Sequence, residues 1–183
     1  MDNNIVDIKK QHFEIQKAIR FMVDKFLKTD GTQKELHTEK PVVIHSLKTG
    51  FILFDFGYEK DLVIAGFLHD VMEDAEVTYK EIENNFNKRV ADIVQAVSVD
   101  RAIIDGVERH KDLYEREITA GRDAIIVAIA DHLENMPFLK YAKDKEEYET
   151  VKARWFVFLN EVAIKVSDEP ICKKYLTEMK KIK

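Results

Sequence analysis

Phe67-Leu68-His69-Asp70-Val71-Met72-Glu73-Asp74 packs four ionisable side chains into a stretch that otherwise reads as protein core. A helix turns about 100° per residue, so with His69 at zero, Asp70 falls near 100°, Glu73 near 40° and Asp74 near 140°. Ile64, Phe67, Leu68, Val71 and Met72 fall between about 160° and 300°. The polar groups share one arc and the apolar groups the other. The pattern predicts a helix over 61–73 that buries one face and gathers a histidine and three acids on the opposite one. Ionisable groups beside a core are costly to bury without a partner, and a cation is a fitting one. The plainer alternative is a solvated helix end.

Two distant segments bear on that choice. Upstream, Pro41-Val42-Val43-Ile44-His45 places a histidine one turn into an apolar helix opened by proline. Downstream, the apolar run from Ala124 to Ala130 ends abruptly in Asp131, followed by His132-Leu133-Glu134-Asn135-Met136. An aspartate directly after such a buried stretch needs a partner. A histidine, a His-Asp pair and a distant aspartate on three helices form a mixed nitrogen and oxygen cage. Such a cage suits Mn, Fe, Co, Zn or Mg with open positions for water.

The rest of the 183 residues reads as one helical unit. Helical spacing predicts a first helix from Ile5 to Leu27, and polar Thr29 to Lys40 reads as a loop of the kind that lines sites. Further helices are expected over 41–57, from Thr78 (a capping-box start), over 90–97, 102–118 and 122–140 with a kink at Pro137, and over 146–166 and 171–182. No run of strict alternation argues for a sheet. The fold class is therefore all-α, a bundle of about eight to nine helices in a single domain spanning 1–183. Apolar residues make up 45% and charged residues 34%, a globular balance. The formal charge of −5 supplies no basic field for nucleic acid. The one cysteine, Cys172, excludes an internal disulfide framework and suits a reducing cytoplasm. The polar and acidic Met1 to Lys10 lacks the apolar stretch of a signal peptide, and no run is long enough for a membrane span.

In order and spacing these motifs resemble the HD-domain phosphohydrolases, and most of all the RelA/SpoT-type guanosine polyphosphate 3′-pyrophosphohydrolases, including their small single-domain form. Phe67 to Asp74 is similar to that group's "LLHD-x-x-ED", Ile129 to Met136 to its "LADRLHNM", and Pro41 to His45 to its "PYIxH". Thr78 to Val97 also follows its pattern. The resemblance covers about Lys40 to Leu139. It implies a helical bundle with His45, His69, Asp70 and Asp131 as metal ligands, usually to Mn²⁺. It implies Glu73 and Asp74 in hydrolysis, Asn135 near a nucleotide, and a nucleotide-like small molecule as substrate.

The sequence departs from that pattern where substrate contacts are made. Leu36 and His37 stand where the group often has an Arg-Lys pair, Val42 where it has an aromatic, His132 at its arginine and Glu134 at its histidine. Phosphate-binding cations would then come from Arg101, Arg109, Lys111, Arg116 or Arg122, with Arg101 nearest the motif and His132 beside a ligand. His12, His37 and His110 have no metal spacing. Trp155, Phe156 and Phe158 suit core packing or the interface of a homo-oligomer. The residues point first to a nucleotide phosphohydrolase acting on a phosphoester or pyrophosphate, guanosine 3′,5′-bis(diphosphate) included. A catalytically idle binding or sensor domain, and a helical interaction protein with solvated acids, stand as alternatives.

Overall fold

Seven consecutive residues, Ala124 to Ala130, are all buried, and so are Leu62 to Leu68. A helix that is apolar on every side belongs in the middle of a bundle, and these two form the centre of this one. The computed structural model describes residues 3–29, 32–35 and 38–182. Helix α1 is Asn3–Phe26, α2 is Val42–Asp55, α3 is Lys60–Leu68 and α4 is the single turn Val71–Asp74. Then follow α5 (Tyr79–Asn85), α6 (Lys88–Val97), α7 (Gly106–Ala120), α8 (Arg122–Asn135), α9 (Lys145–Glu161) and α10 (Pro170–Met179). The central α8 packs against α2, α3, α6, α7 and α10, and α3 packs against α1, α2 and α6. One apolar core runs through all of them, from Ala18 on α1 to Met179 on α10.

The expected helical bundle is present; α7 starts at Gly106 rather than at 102, α9 gives way after Glu161 to a 3-10 turn over Ala163–Val166, and three further differences stand out. Residues expected as a loop contain an antiparallel hairpin, β1 (Thr32–Glu35) with β2 (Thr38–Pro41), in register Thr32 to Pro41. Strands this short and polar show no alternation to read. Leu36 and His37 lie outside the described residues. The helix expected over 61–73 breaks at His69-Asp70: Asp70 takes φ −93° and ψ −5°, the bridge region in which active-site residues often sit, and α4 starts afresh. At Pro137, α8 ends and the chain tightens into a 3-10 turn over Met136–Tyr141, because proline cannot donate to the helical ladder. Elsewhere local signals act as expected, with Thr78 Oγ1 accepting from the Glu81 amide at 3.2 Å to start α5.

Two glycines set the distance between the helices that carry the histidines. A Cβ on Gly66 of α3 would stand 2.5 Å from Leu53 Cδ1 and 3.2 Å from the Gly50 Cα of α2. A Cβ on Gly50 would stand 2.3 Å from the Phe67 ring. Only hydrogen fits at this crossing, so α2 and α3 come close enough for their side chains to share one site. Among the described residues, no helix is long and apolar enough to cross a membrane.

Candidate metal centre

The break after Leu68 turns His69 and Asp70 together toward α2 and α8. His45 Nε2 lies 3.0 Å from His69 Nε2, 2.9 Å from Asp131 Oδ1 and 3.3 Å from Asp70 Oδ2. His69 Nε2 lies 3.1 Å from Asp70 Oδ1 and 3.5 Å from Asp131 Oδ1. Both histidines and Asp70 are buried, while Asp131 keeps 28% of its side chain exposed to a cleft. All four sequence-predicted ligands thus meet at one point, and His45, His69 and Asp131 could form a metal site, with one ligand atom from each within 4.8 Å of the others.

The imidazoles are oriented from behind. His69 Nδ1 sits 2.8 Å from the Gly66 carbonyl, which can only accept, so Nδ1 carries the proton. His45 Nδ1 sits 2.5 Å from Glu134 Oε2 and donates to that carboxylate. Each ring therefore presents a bare Nε2 lone pair to the other at 3.0 Å, with carboxylate oxygens around them. Electron-rich atoms this close repel unless protons or a cation lie between them. Donors around one small cation stand about 3 Å apart, so the spacing and the mixed donor set fit a divalent metal.

Without such a cation, protons do its work. Burial disfavours a charged His45, yet the carboxylates of Asp131, Asp70 and Glu134 outweigh it and raise its pKa well above the usual imidazole range. For His69 burial is likewise outweighed, chiefly by Asp70, and its pKa rises to about 10. Burial would raise the pKa of Asp70, but His69 and His45 hold it far below the usual carboxylate range, as they hold Asp131. Metal and protons compete for the same lone pairs, so metal binding here releases protons.

A cleft of about 630 Å³ opens over this cluster. Glu73, on its wall, accepts the Val99 amide through Oε1 at 2.7 Å. Burial, with the Asp70 charge second, raises its pKa to about 8. Asp74 is also raised by burial and by Asp70, and pairs with Arg101, which the sequence singled out for substrate. Asn135 lines the cleft, and its amide donates to Asp131 Oδ1 at 2.8 Å, one helical turn earlier on α8. His132 edges the cleft, but its ring lies on Phe158 with centroids 3.9 Å apart and its Nδ1 meets Tyr175 Oη at 3.0 Å. Burial pushes its pKa down to about 4. Trp155 and Phe158 are buried in that same aromatic set, as core packing requires.

Two of the arginines considered for phosphate have structural partners instead. Arg116 donates to the carbonyls of Gln95, Ala96 and Ser98 at the end of α6, and Arg122 pairs with Asp168 and Glu169. His12 stacks near Phe54, away from the cluster. Sequence reading missed Glu134 and Ser98, whose hydroxyl lies 3.2 Å from the His69 carbonyl. The available signal for Glu134 was its place three residues after Asp131, on the same side of α8.

The HD domain family model matches residues 23–158, and the chain belongs to that family. It is 30% identical over 141 residues to a guanosine-3′,5′-bis(diphosphate) 3′-pyrophosphohydrolase of Aquifex aeolicus, covering 76% of this chain and 20% of the relative. A probable enzyme of the same name from Mycoplasma pneumoniae is 35% identical over 85 residues, 46% of this chain and 12% of that protein. The chain thus spans about a fifth or less of these curated relatives. Among solved structures, one described as a metazoan ortholog of SpoT that hydrolyzes ppGpp superposes with a TM-score of 0.73 at 19% identity, covering 92% of this chain and 94% of that one. A Listeria monocytogenes EGD-e protein superposes with a TM-score of 0.65 at 26% identity, covering 79% of this chain and 99% of that one. The fold is therefore that of the HD domain.

Proposed function

We propose that this chain is a metal-dependent nucleotide phosphohydrolase, with guanosine 3′,5′-bis(diphosphate) as substrate and removal of its 3′-pyrophosphate as the reaction. The observation that carries the reading is the convergence of His45 Nε2, His69 Nε2 and Asp131 Oδ1 at 2.9–3.5 Å, in a cleft that a half-buried Glu73 also lines. The names of the curated relatives support the choice of substrate.

His45, His69, Asp70 and Asp131 would hold a divalent cation; their mixed nitrogen and oxygen donors suit Mn, Fe, Co, Zn or Mg, and the resemblance to this branch of the family selects Mn²⁺ among them. When bound, a divalent cation polarises a phosphoryl oxygen and lowers the pKa of water. Glu134 keeps the His45 ring turned toward the site, and the Gly66 carbonyl does the same for His69. Asn135 fixes the Asp131 carboxylate. Glu73 Oε1 is engaged by the Val99 amide, so Oε2 is the atom that takes a proton from the attacking water. Arg101, tethered by Asp74 at the mouth, meets the substrate's phosphates, and His132 contributes only an edge of the wall. The placement of Glu73 on the cleft wall favours an enzyme over an idle sensor, which needs no proton acceptor there. One buried free thiol, Cys172, suits a reducing cytoplasm as its place of action.

Turnover of a nucleotide panel that includes guanosine tetraphosphate tests this, with Mn²⁺ added and with chelator added. Pyrophosphate release from that substrate, abolished by chelation, is the expected result. No release from any member of the panel with metal present contradicts it.

A further inference from the structure

The outer face of α2 carries a stripe that the core does not use. Ile44, Lys48, Phe51 and Asp55 follow one another at spacings of four, three and four residues. At about 100° per residue they fall within an arc of about 60°. All four are exposed, Ile44 at 49% and Phe51 at 46%. The opposite face holds His45, Ser46, Thr49 and Leu53, all buried. A helix at the edge of a bundle ordinarily turns polar residues to water. This one turns an isoleucine and a phenylalanine outward, at the spacing of a seam along which two helices pack.

The charges on the stripe are antisymmetric about its middle. Lys48 lies three residues before Phe51, and Asp55 lies three residues after Ile52. A second α2 laid antiparallel across the first, with the two-fold axis level with the Phe51–Ile52 peptide, brings each Lys48 level with the partner's Asp55. The two Phe51 rings then sit side by side. An isologous contact of this kind makes every pairing twice. Asp55 forms no ion pair among the described residues. Lys48 reaches Glu134 Oε1 at 3.4 Å and keeps 56% of its side chain exposed, which leaves its ammonium open to a second carboxylate. Beside the stripe, a groove of about 480 Å³ between α2 and the 3-10 turn is walled by Ile52, Pro137, Phe138 and Tyr141. An anionic surface such as a membrane would call for cations without Asp55. An unrelated protein would have no need of a pattern that complements itself.

We propose that the outer face of α2 is the interface of an isologous dimer, in which two copies of this chain pack α2 against α2 antiparallel, Phe51 beside the partner's Phe51 and Lys48 beside the partner's Asp55. Burial of the phenylalanines, with Ile44 and the groove wall, supplies the free energy, and the charge pairs fix direction and register. The stripe is about 18 Å long. A contact of that length falls short of the ~1,200 Å² of stable interfaces, so the dimer is a weak one. No residue of α2 lines the cleft over the metal cluster, so the contact does not run through it. The dimer is therefore independent of the reaction assigned to the cleft.

Sedimentation equilibrium of the purified chain, from about 10 μM to about 1 mM, tests the interface. Wild type is expected to show a reversible monomer–dimer equilibrium in that range. Asp55→Lys sets a like charge against the partner's Lys48 and is expected to raise the dissociation constant about tenfold or more. Lys48→Glu does the same against the partner's Asp55. Mixed in equal amounts, the two variants recover both opposite-charge pairs, and they are expected to form a heterodimer at concentrations where each alone is monomeric. A charge effect on folding alone could not produce that recovery. If Lys48→Glu, which lies close to buried Glu134, does not fold, Asp55→Lys and Phe51→Ala decide, and both must weaken the dimer. The interface is overturned by a wild type that stays monomeric throughout, by a dimer that Asp55→Lys leaves within about twofold, or by a mixture of the folded variants that stays monomeric.

Discussion

Glu134 Oε2 lies 2.5 Å from His45 Nδ1, the ring nitrogen opposite the one that faces His69. The carboxylate reaches across from α8 to α2, so the helix that ends in Asp131 also sets the angle of the histidine on its neighbour. A carboxylate behind a ligating imidazole fixes its tautomer and raises its basicity. Glu134→Gln keeps an acceptor but removes the charge. Titration of the folded variant with Mn²⁺ is expected to show affinity reduced about tenfold or more. Equal affinity would make Glu134 an ordinary buried acid.

Glu73→Gln preserves shape and removes the proton acceptor. Turnover on the best nucleotide is expected to fall about 10²- to 10⁴-fold, with metal content unchanged. Activity near wild type would remove Glu73 from the reaction.

The same variant has a signature in stability. The folded pKa of Glu73 is raised from 4.5 to about 8, so the folded state binds the extra proton between those values. Its contribution is fully present below pH 4.5 and is lost as pH rises through 8. His132 acts in the opposite direction, because its pKa is lowered from 6.5 to about 4. The diagnostic quantity is therefore the wild-type minus Glu73→Gln difference in unfolding free energy, measured in chelator. That difference is expected to decline from pH 5 to pH 8. A flat difference would place the raised pKa elsewhere.

Gly66→Ala tests the helix crossing. The added methyl would meet Leu53 Cδ1 at 2.5 Å, and the Gly66 carbonyl that orients His69 would have to shift with it. Urea unfolding is expected to show a loss of about 1–3 kcal/mol, accompanied by weaker Mn²⁺ binding. Wild-type stability would mean that α2 and α3 separate freely.

How far the sequence anticipates this centre depends on contrast. His45, His69, Asp70 and Asp131 are conspicuous because each interrupts an apolar stretch that becomes core. Glu134 has no such contrast: between Leu133 and Asn135 at a helix end it reads as a solvated acid, and only the approach of α2 buries it. The break at His69-Asp70 was not readable either, because the periodicity of the apolar residues continues smoothly through it. The hairpin before Pro41 escaped because its pairing is made by backbone groups under polar side chains, which leave no alternation.

Metal removal should be visible in folding as well as in activity. A ligand that binds only the folded state at a hundred times its dissociation constant adds about 2.7 kcal/mol of stability. Thermal melts with saturating Mn²⁺ and with chelator are expected to differ accordingly, and His45→Ala is expected to abolish the difference. A metal-dependent shift that survives in His45→Ala would place the cation at another site.

The most direct test is the anomalous difference map of a crystal grown with Mn²⁺. One strong peak bonded to His45 Nε2, His69 Nε2 and an Asp131 oxygen, with Asp70 completing the set, is the expected result. A map with no peak among those four side chains, or with its main peak elsewhere on the chain, would contradict the account.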